Sequence, residues 1–212
     1  MCENTNALNW EGIRFEGCQY EIPGCAPIEW QGVTYQVTNI AGTCYFAQDL
    51  RVEWTNEDQP IQEVTNLSNY SCIGYFKDMA DPSRGYLYGA DLIYPEDLLC
   101  PPGWHVWEYN EAIASILKIQ QYTTISNGLK RSGSWGEATG NYWGFNAVPT
   151  GIFDRNLGYV NEGNIAAYFT YEPNHIYNLN VLEGDPITVD AYWLTWTASS
   201  ACGELRAVRC AK

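Results

Sequence analysis

The stretch Cys100-Pro101-Pro102-Gly103-Trp104-His105-Val106 lies directly before the clearest helix signal in the chain. From Trp107 to Ile119 no Gly or Pro interrupts the sequence, and apolar residues recur at close to 3.6-residue spacing. Two glutamates near the beginning and Lys118 near the end match the direction of a helix dipole. The sequence therefore predicts a helix over 107–119 that packs on a sheet.

Outside this helix the pattern is typical of short strands joined by turns. Alternating apolar and polar residues predict the strands, and Asn-Gly, Ser-Gly and Thr-Gly pairs predict turns. The predicted strands are 33–38, 44–47, 145–148, 165–171, 176–182, 187–196 and 205–210. Many strands with one helix predict an α+β fold.

The composition excludes several classes of protein. The chain has 212 residues with 11 Lys and Arg against 25 Asp and Glu, a net charge of −14. A surface this acidic repels phosphate, so we expect no nucleic-acid partner. No apolar run approaches the ~18 residues that a spanning helix needs, so we expect no membrane span. Aromatic residues make up 15% of the chain, which argues against disorder.

Eight cysteines, an even number without a Cys-x-x-Cys pair, favour disulfides over a zinc site. Their spacing alone does not determine the pairing. Cys18 and Cys25 flank the turn-forming stretch Ile22-Pro23-Gly24, so a small local disulfide loop is one expectation. The beginning Met1-Cys2-Glu3 has no signal-peptide pattern. We therefore expect an exported protein whose signal was removed, or a component of a virion.

Residues 1–27 are interpreted as an N-terminal extension containing cysteines, followed by a domain over 28–212. Trp10-Glu11-Gly12-Ile13-Arg14-Phe15 in the extension is echoed by Trp30-Gln31-Gly32-Val33-Thr34-Tyr35. Each copy predicts a strand beside a tight turn. Two copies are too few for a repeat architecture.

The domain over 28–212 resembles a known family. Cys100–Val106 is similar to the signature of the Fibrobacter succinogenes major paralogous domain. Further segments resemble that family's motifs in the same order: Ile28–Tyr35, Phe46–Arg51, Gly85–Tyr88, Gly128–Lys130 with Trp135, Gly144–Pro149 and Val208–Cys210. Trp107-Glu108 and Tyr168–Glu172 depart from the family pattern.

This resemblance implies a C-type-lectin-like fold, with twisted antiparallel sheets, one main helix and long loops. It also implies that Cys100 and Cys210 form a structural disulfide.

Glu172-Pro173-Asn174 copies a tripeptide that binds sugar and calcium in true C-type lectins. The Trp-Asn-Asp that completes such a site does not follow in this chain. Calcium needs about six to eight oxygen ligands, so a turn at the end of a strand is favoured over a calcium site. We expect no cofactor, with calcium as the minor alternative and Glu172 and Asn174 as candidate ligand-binding residues.

The aromatic pair Tyr142-Trp143 lies in a polar, Gly-rich stretch. We expect this pair to be exposed and to stack on a ligand, because exposed aromatic faces mark interaction sites. Most of the other large aromatics are expected in the core, namely Trp135, Tyr159, Trp193 and Trp196.

Motifs for catalysis are absent: the chain has no Gly-x-Ser-x-Gly, no His-Glu-x-x-His and no phosphate loop. His105 is interpreted as a structural hydrogen-bonding residue. We therefore expect a non-catalytic, surface-exposed binding or structural module for adhesion to a glycan or protein ligand. Its carrier would be a bacterial cell surface or a phage virion, as a fibre or decoration protein, alone or in a homo-oligomer or larger assembly. The alternative is a carbohydrate-active or thiol-dependent enzyme on a lectin-like scaffold, with Cys202 and Cys210 as the thiol pair.

Overall fold

The computed structural model describes residues 25–77, 81, 84–93, 97–121, 128–131, 133–135, 141, 143–172, 175–182, 187–193 and 202–212. Within these ranges the fold is mixed α+β, as predicted, with mostly strands and one α-helix, α1 (Tyr109–Gln120). The strands are β1 (Ile28–Trp30), β2 (Val33–Tyr35), β3 (Val37–Ile40), β4 (Thr43–Phe46), β5 (Gln62–Glu63), β6 (Gly74–Lys77), β7 (Tyr86–Gly89), β8 (His105–Val106), β9 (Ile152–Asp154), β10 (Gly158–Val160), β11 (Ile165–Glu172), β12 (His175–Leu182), β13 (Ile187–Trp193), β14 (Glu204–Ala207) and β15 (Cys210–Ala211). One-turn 3₁₀ helices lie at Leu67–Asn69 and Ala90–Leu92.

The strands form two sheets and a separate hairpin. The larger sheet has the order β13-β12-β11-β14-β7-β6-β5, with β9 pairing to β14 and β10 to β9. The smaller sheet has the order β3-β4-β15-β8, and β1 pairs with β2. The last segment of the chain therefore passes from one sheet to the other, through Val208 and Arg209 between β14 and β15.

Both faces of the larger sheet are covered by buried side chains. Because successive residues of a strand point to opposite faces, Tyr168 belongs to one core cluster and its neighbour Phe169 to the other. Leu87 and Tyr88 divide in the same way. The cluster that contains Tyr168 also includes buried residues of α1, so the helix packs on the sheet as predicted.

The helix begins two residues later than predicted, because Trp107 is extended. The Trp107 N–H donates to the Arg209 carbonyl at 2.9 Å, and the Trp107 carbonyl accepts from Tyr171 at 3.2 Å. Glu108 is the N-cap, and its capping box with Glu111 satisfies two backbone N–H groups at the start of the helix, those of Glu108 and Glu111.

Three predicted strands differ from the observed ones. The predicted strands 33–38 and 205–210 each divide in two, because their halves belong to different sheets. The stretch 145–148 forms only an isolated bridge from Ala147 to Lys130. Asn146 has a φ of 58°, which interrupts an extended strand.

The six described cysteines form three disulfides: Cys25–Cys44, Cys72–Cys202 and Cys100–Cys210. The Cys100–Cys210 bond is thus present. The expected Cys18–Cys25 loop is wrong, because Cys25 is bonded to Cys44 across the smaller sheet's first hairpin. Cys18 itself lies outside the described residues, as does most of the predicted extension 1–27. No helix in the described ranges is both long and apolar enough to cross a bilayer.

Candidate ligand-binding groove

Four of the segments that carry the family resemblance meet in the interior, around the fully buried Arg209. Its Nε donates to Asp49 Oδ1 at 2.5 Å. The other four N–H groups point at oxygens from four further positions: the carbonyls of Phe46 (2.7 Å), Phe145 and Asn146 (3.1 Å), and the Tyr168 hydroxyl (3.5 Å). All the donors of this guanidinium are therefore used within the fold.

Aromatic rings and a glycine complete this buried centre. The guanidinium carbon of Arg209 lies 4.2 Å from the ring centroid of Phe145 and 5.5 Å from that of Tyr168. Gly85 has a φ of +88°, and a Cβ there would lie 2.4 Å from the Cβ of Asp49. A side chain at position 85 would thus displace the carboxylate that pairs with Arg209. The centre is a buried structural unit.

The titratable groups beside the Cys100–Val106 stretch are also engaged in structural contacts. Asp97 accepts the backbone N–H groups of Leu99 and Cys100 at 3.0 Å and of Val106 at 2.5 Å. Burial raises the pKa of Asp97, although these hydrogen bonds act in the opposite direction. His105 Nε2 lies 3.1 Å from both carboxylate oxygens of Glu111, and this hydrogen bond is the main cause of its raised pKa. His105 thus forms the hydrogen bond that its structural interpretation requires.

The ligand residues predicted from the sequence are described only in part. Trp143 is partly buried and packs against the core cluster on the helix side, so it is less exposed than predicted. Glu172 lies at the end of β11, where its carboxylate accepts from the Tyr177 hydroxyl at 3.4 Å. Tyr142 and Asn174 lie outside the described residues. A ligand role for these four residues stays a prediction.

Among the other aromatics, the structure confirms the core expectation for Trp135, which is 6% exposed and donates its indole N–H to the Ala147 carbonyl at 2.9 Å. Tyr159 is partly buried against the same cluster. The side chain of Trp193 and all of Trp196 are outside what the structure describes.

A groove of about 560 Å³ lies on another part of the surface. Its lining is Gln31, Val33, Arg51, Glu53, Trp54, Asp58 and Tyr86. These residues come from three places: the β1–β2 hairpin, the loop that follows β4, and the first residue of β7. Because three separate segments meet at this groove, it is a candidate binding site.

The β1–β2 turn holds one side of the groove. Gln31 and Gly32 have φ angles of 47° and 74°, the left-handed pair that a two-residue hairpin turn needs. From this turn the Gln31 side chain reaches across, and its Nε2 donates to the Trp54 carbonyl at 2.8 Å. The hairpin is thereby joined to the opposite loop.

A compact loop presents Trp54, which is 49% exposed. Trp54 forms a bridge to Pro60, and the Thr55 N–H donates to the Gln59 carbonyl at 2.8 Å. Asp58 turns the loop with a φ of 59°. These contacts hold the loop on both sides of its turn, so the exposed indole belongs to an ordered segment.

Tyr86 is held from two sides. Its ring stacks on Tyr75 with centroids 5.2 Å apart and an interplanar angle of 24°. Its hydroxyl donates to Glu53 Oε1 at 3.3 Å, and Lys77 Nζ donates to the same oxygen at 3.4 Å. Burial, with the negative charge of Glu53, raises the pKa of Tyr86, and burial raises the pKa of Tyr75 to about 12. Both phenols therefore stay neutral at physiological pH.

Two buried polar atoms of the groove residues have no hydrogen-bond partner among the described residues: Gln31 Oε1 and Arg51 Nε. One is an acceptor and the other a donor. Buried polar atoms are rarely left without partners in folded proteins. Both belong to side chains that line the groove, so a ligand that displaced the atoms covering them would supply the missing partners.

The sequence contained a signal for this site that our prediction did not use. Trp54 lies among polar residues, as Tyr142-Trp143 does, but it lies outside every predicted strand, helix and site. Arg51 and Tyr86 lie in segments chosen for the family resemblance. Their approach to Trp54 depends on long-range packing, which no local pattern reveals.

No family model, curated protein or solved structure matches the chain. Within the described ranges, no three His, Cys, Asp or Glu side chains are grouped as they would be to hold a metal ion.

Proposed function

We propose that this chain is a non-catalytic recognition module that binds a glycan or protein ligand in the groove between the β1–β2 hairpin, the 51–58 loop and β7. One observation carries the proposal. The groove combines a half-exposed Trp54 on an ordered loop with a donor on Arg51 and an acceptor on Gln31 that have no partner among the described residues. Such a combination of an apolar face and a few polar groups is typical of ligand sites.

We also propose a C-type-lectin-like fold of the Fibrobacter major paralogous kind. The support is that four of the resembling segments contribute to one buried centre, through Asp49, Gly85, Phe145 and Arg209. The disulfide that the resemblance implies, Cys100–Cys210, is also present. The shared motifs would then serve the fold, and the ligand would be set by residues around them.

The three disulfides weakly suggest an oxidizing, extracellular environment. We propose that the module acts at a bacterial cell surface or on a virion, as an adhesion, fibre or decoration protein, alone or within an assembly of copies. The net charge of −14 supports a partner other than nucleic acid.

The enzyme alternative has little to support it among the described residues. The acids and the histidine with raised pKa values that lie beside the family motifs, Asp49, Asp97 and His105, make their hydrogen bonds within the fold. Cys202 and Cys210 are held in separate disulfides, to Cys72 and Cys100. A thiol mechanism would need one of these cysteines to be free.

The test is a binding assay with the full chain on bacterial cells and on immobilised glycans. We expect saturable binding with no chemical change in the ligand, weakened by Trp54→Ala and kept by Leu157→Ala, which removes an apolar side chain that is 73% exposed and outside the groove. Thiol titration of the denatured, non-reduced chain should find no free thiol on the six described cysteines. Release of a cleaved sugar, or inactivation by a thiol reagent, would establish the enzyme alternative.

A further inference from the structure

We propose that the groove binds one unit of an uncharged glycan, with a pyranose ring lying on Trp54 and its hydroxyl groups bonded to Gln31 and Arg51. This inference rests on the proposed recognition function and names its ligand class.

The aromatic contact comes from Trp54 and Tyr86. An indole that is 49% exposed offers a broad apolar face, and the C–H face of a pyranose ring is an apolar surface of similar width. Tyr86 is fixed by its stacking on Tyr75 and by its hydrogen bond to Glu53. Little side-chain freedom is lost when a ligand binds to groups that are already held.

The polar contacts select hydroxyl groups. Gln31 Oε1 needs a donor and Arg51 Nε needs an acceptor. A sugar hydroxyl serves as either, and neighbouring hydroxyls on one ring can serve both atoms. An ammonium ligand, the other class that aromatic rings and carboxylates attract, can only donate, so it would leave the Arg51 atom unpaired.

The charges of the groove disfavour acidic sugars. Its lining carries two carboxylates, Glu53 and Asp58, against the single guanidinium of Arg51. The neighbouring Lys77 lies within 3.5 Å of both Glu53 and Glu63, which compensate its charge. Together with the net charge of −14, this arrangement repels a uronic or sialic acid at long range. The volume of about 560 Å³ suits a small ligand rather than a protein surface.

The experiment is isothermal titration of the full chain with methyl glycosides of glucose, galactose, mannose and N-acetylglucosamine, and with glucuronic and sialic acid. We expect at least one neutral glycoside to bind and both acids to bind at least about tenfold more weakly. Trp54→Ala should weaken binding by about tenfold or more, Trp54→Phe should keep most of it, and Arg51→Met should weaken it.

Tyr177→Ala is the matched aromatic control. Tyr177 is partly exposed and stacks on Tyr109 with centroids 4.1 Å apart, outside the groove lining. Its removal should leave the affinity unchanged. Thermal unfolding of each variant shows whether it is folded, and the loss of affinity expected for Arg51→Met still tests the groove if Trp54→Ala does not fold.

Other outcomes overturn the inference in distinguishable ways. Sugar binding that Trp54→Ala leaves intact, but that a calcium chelator and Glu172→Gln abolish, would locate the ligand at Glu172-Pro173-Asn174. Binding to cells that needs Trp54 but is lost after protease treatment of the cells would identify a protein ligand. Both results would leave the recognition function standing. Conversion of the bound sugar to a product would overturn the recognition function itself.

Discussion

Arg209 and Arg51 both lie near a carboxylate and a tyrosine, but in opposite environments. Arg209 is fully buried, and each of its N–H groups has an oxygen partner. Arg51 lines the groove, and its buried Nε has none among the described residues. A guanidinium whose donors are all used holds a fold together, whereas one with a free donor at a surface groove can bind a ligand.

The two regions are built from the same two segments. Asp49 pairs with Arg209, and two residues later Arg51 lies in the groove. Gly85 makes room for Asp49, and the next residue, Tyr86, lies in the groove. The segments are joined by the Tyr86 N–H, which donates to the Leu50 carbonyl at 2.9 Å. Packing at the buried centre therefore sets the position of the groove residues. Effects on stability and on ligand binding can be separated only by substituting residues of the buried centre and of the groove independently.

The largest effect should follow removal of a long crosslink, Cys100–Cys210 or Cys72–Cys202. Cys100→Ser with Cys210→Ser opens a crosslink over a sequence separation of 110 residues. On the chain-entropy model this lowers the free energy of unfolding by about 5 kcal/mol. Cys25→Ser with Cys44→Ser, a separation of 19 residues, should cost about 3 kcal/mol. Guanidinium denaturation measures both, and a larger loss from the shorter crosslink would contradict the expected order.

The next largest loss of stability should follow from breaking the buried ion pair between Asp49 and Arg209. Asp49→Ala leaves the Arg209 charge uncompensated in the interior, so we expect a loss of about 3–5 kcal/mol in the free energy of unfolding. The comparison is Lys77→Ala, which removes a partly exposed pair with Glu53 and should cost less than about 1 kcal/mol. Equal losses in urea denaturation would mean that the buried centre is not the structural unit described above.

Arg51 should behave differently from Arg209. Arg51→Met keeps most of the side-chain volume and removes a buried donor that has no partner, so the free energy of unfolding should change by less than about 1 kcal/mol. Arg209→Met, the matched variant, should cost about 3–5 kcal/mol because it leaves the buried carboxylate of Asp49 unpaired. A large loss for Arg51→Met in the same denaturation assay would show that Arg51 belongs to the structural centre.

Local patterns predicted the parts of this fold that depend on neighbours in sequence. The helix from Tyr109 and the long strands β11 and β12 follow from periodicity, and their bounds differ from the predicted ones by at most two residues. The division of 205–210 into β14 and β15 could not be predicted, because it depends on which sheet each half joins.

The dependence on long-range packing also explains why the groove and the pairing of Cys25 were not predicted. The Cys18–Cys25 loop was inferred from a turn between two cysteines that are close in sequence. Cys25 is instead bonded to Cys44, which the folding of the smaller sheet brings close to it. The groove brings Gln31, Trp54 and Tyr86 together from distant positions, so its residues carry no shared spacing. An exposed tryptophan in a polar stretch was the one available signal.

The smallest effect concerns His105, which lies away from both arginines. Its hydrogen bond to Glu111 raises its pKa above the ordinary value of 6.5. A base whose pKa is higher in the folded state adds stability below the unfolded pKa and loses that contribution as the pH rises through the folded value. The free energy of unfolding should therefore fall above pH 6.5, by less than about 1 kcal/mol because the imidazole is 32% exposed.

Glu111→Gln retains a side chain able to form the capping box, so it should remove this pH dependence without removing the helix. Denaturation at a series of pH values between about 6 and 8 measures the slope; a slope of opposite sign that vanishes in His105→Gln would show that burial, rather than Glu111, governs the histidine.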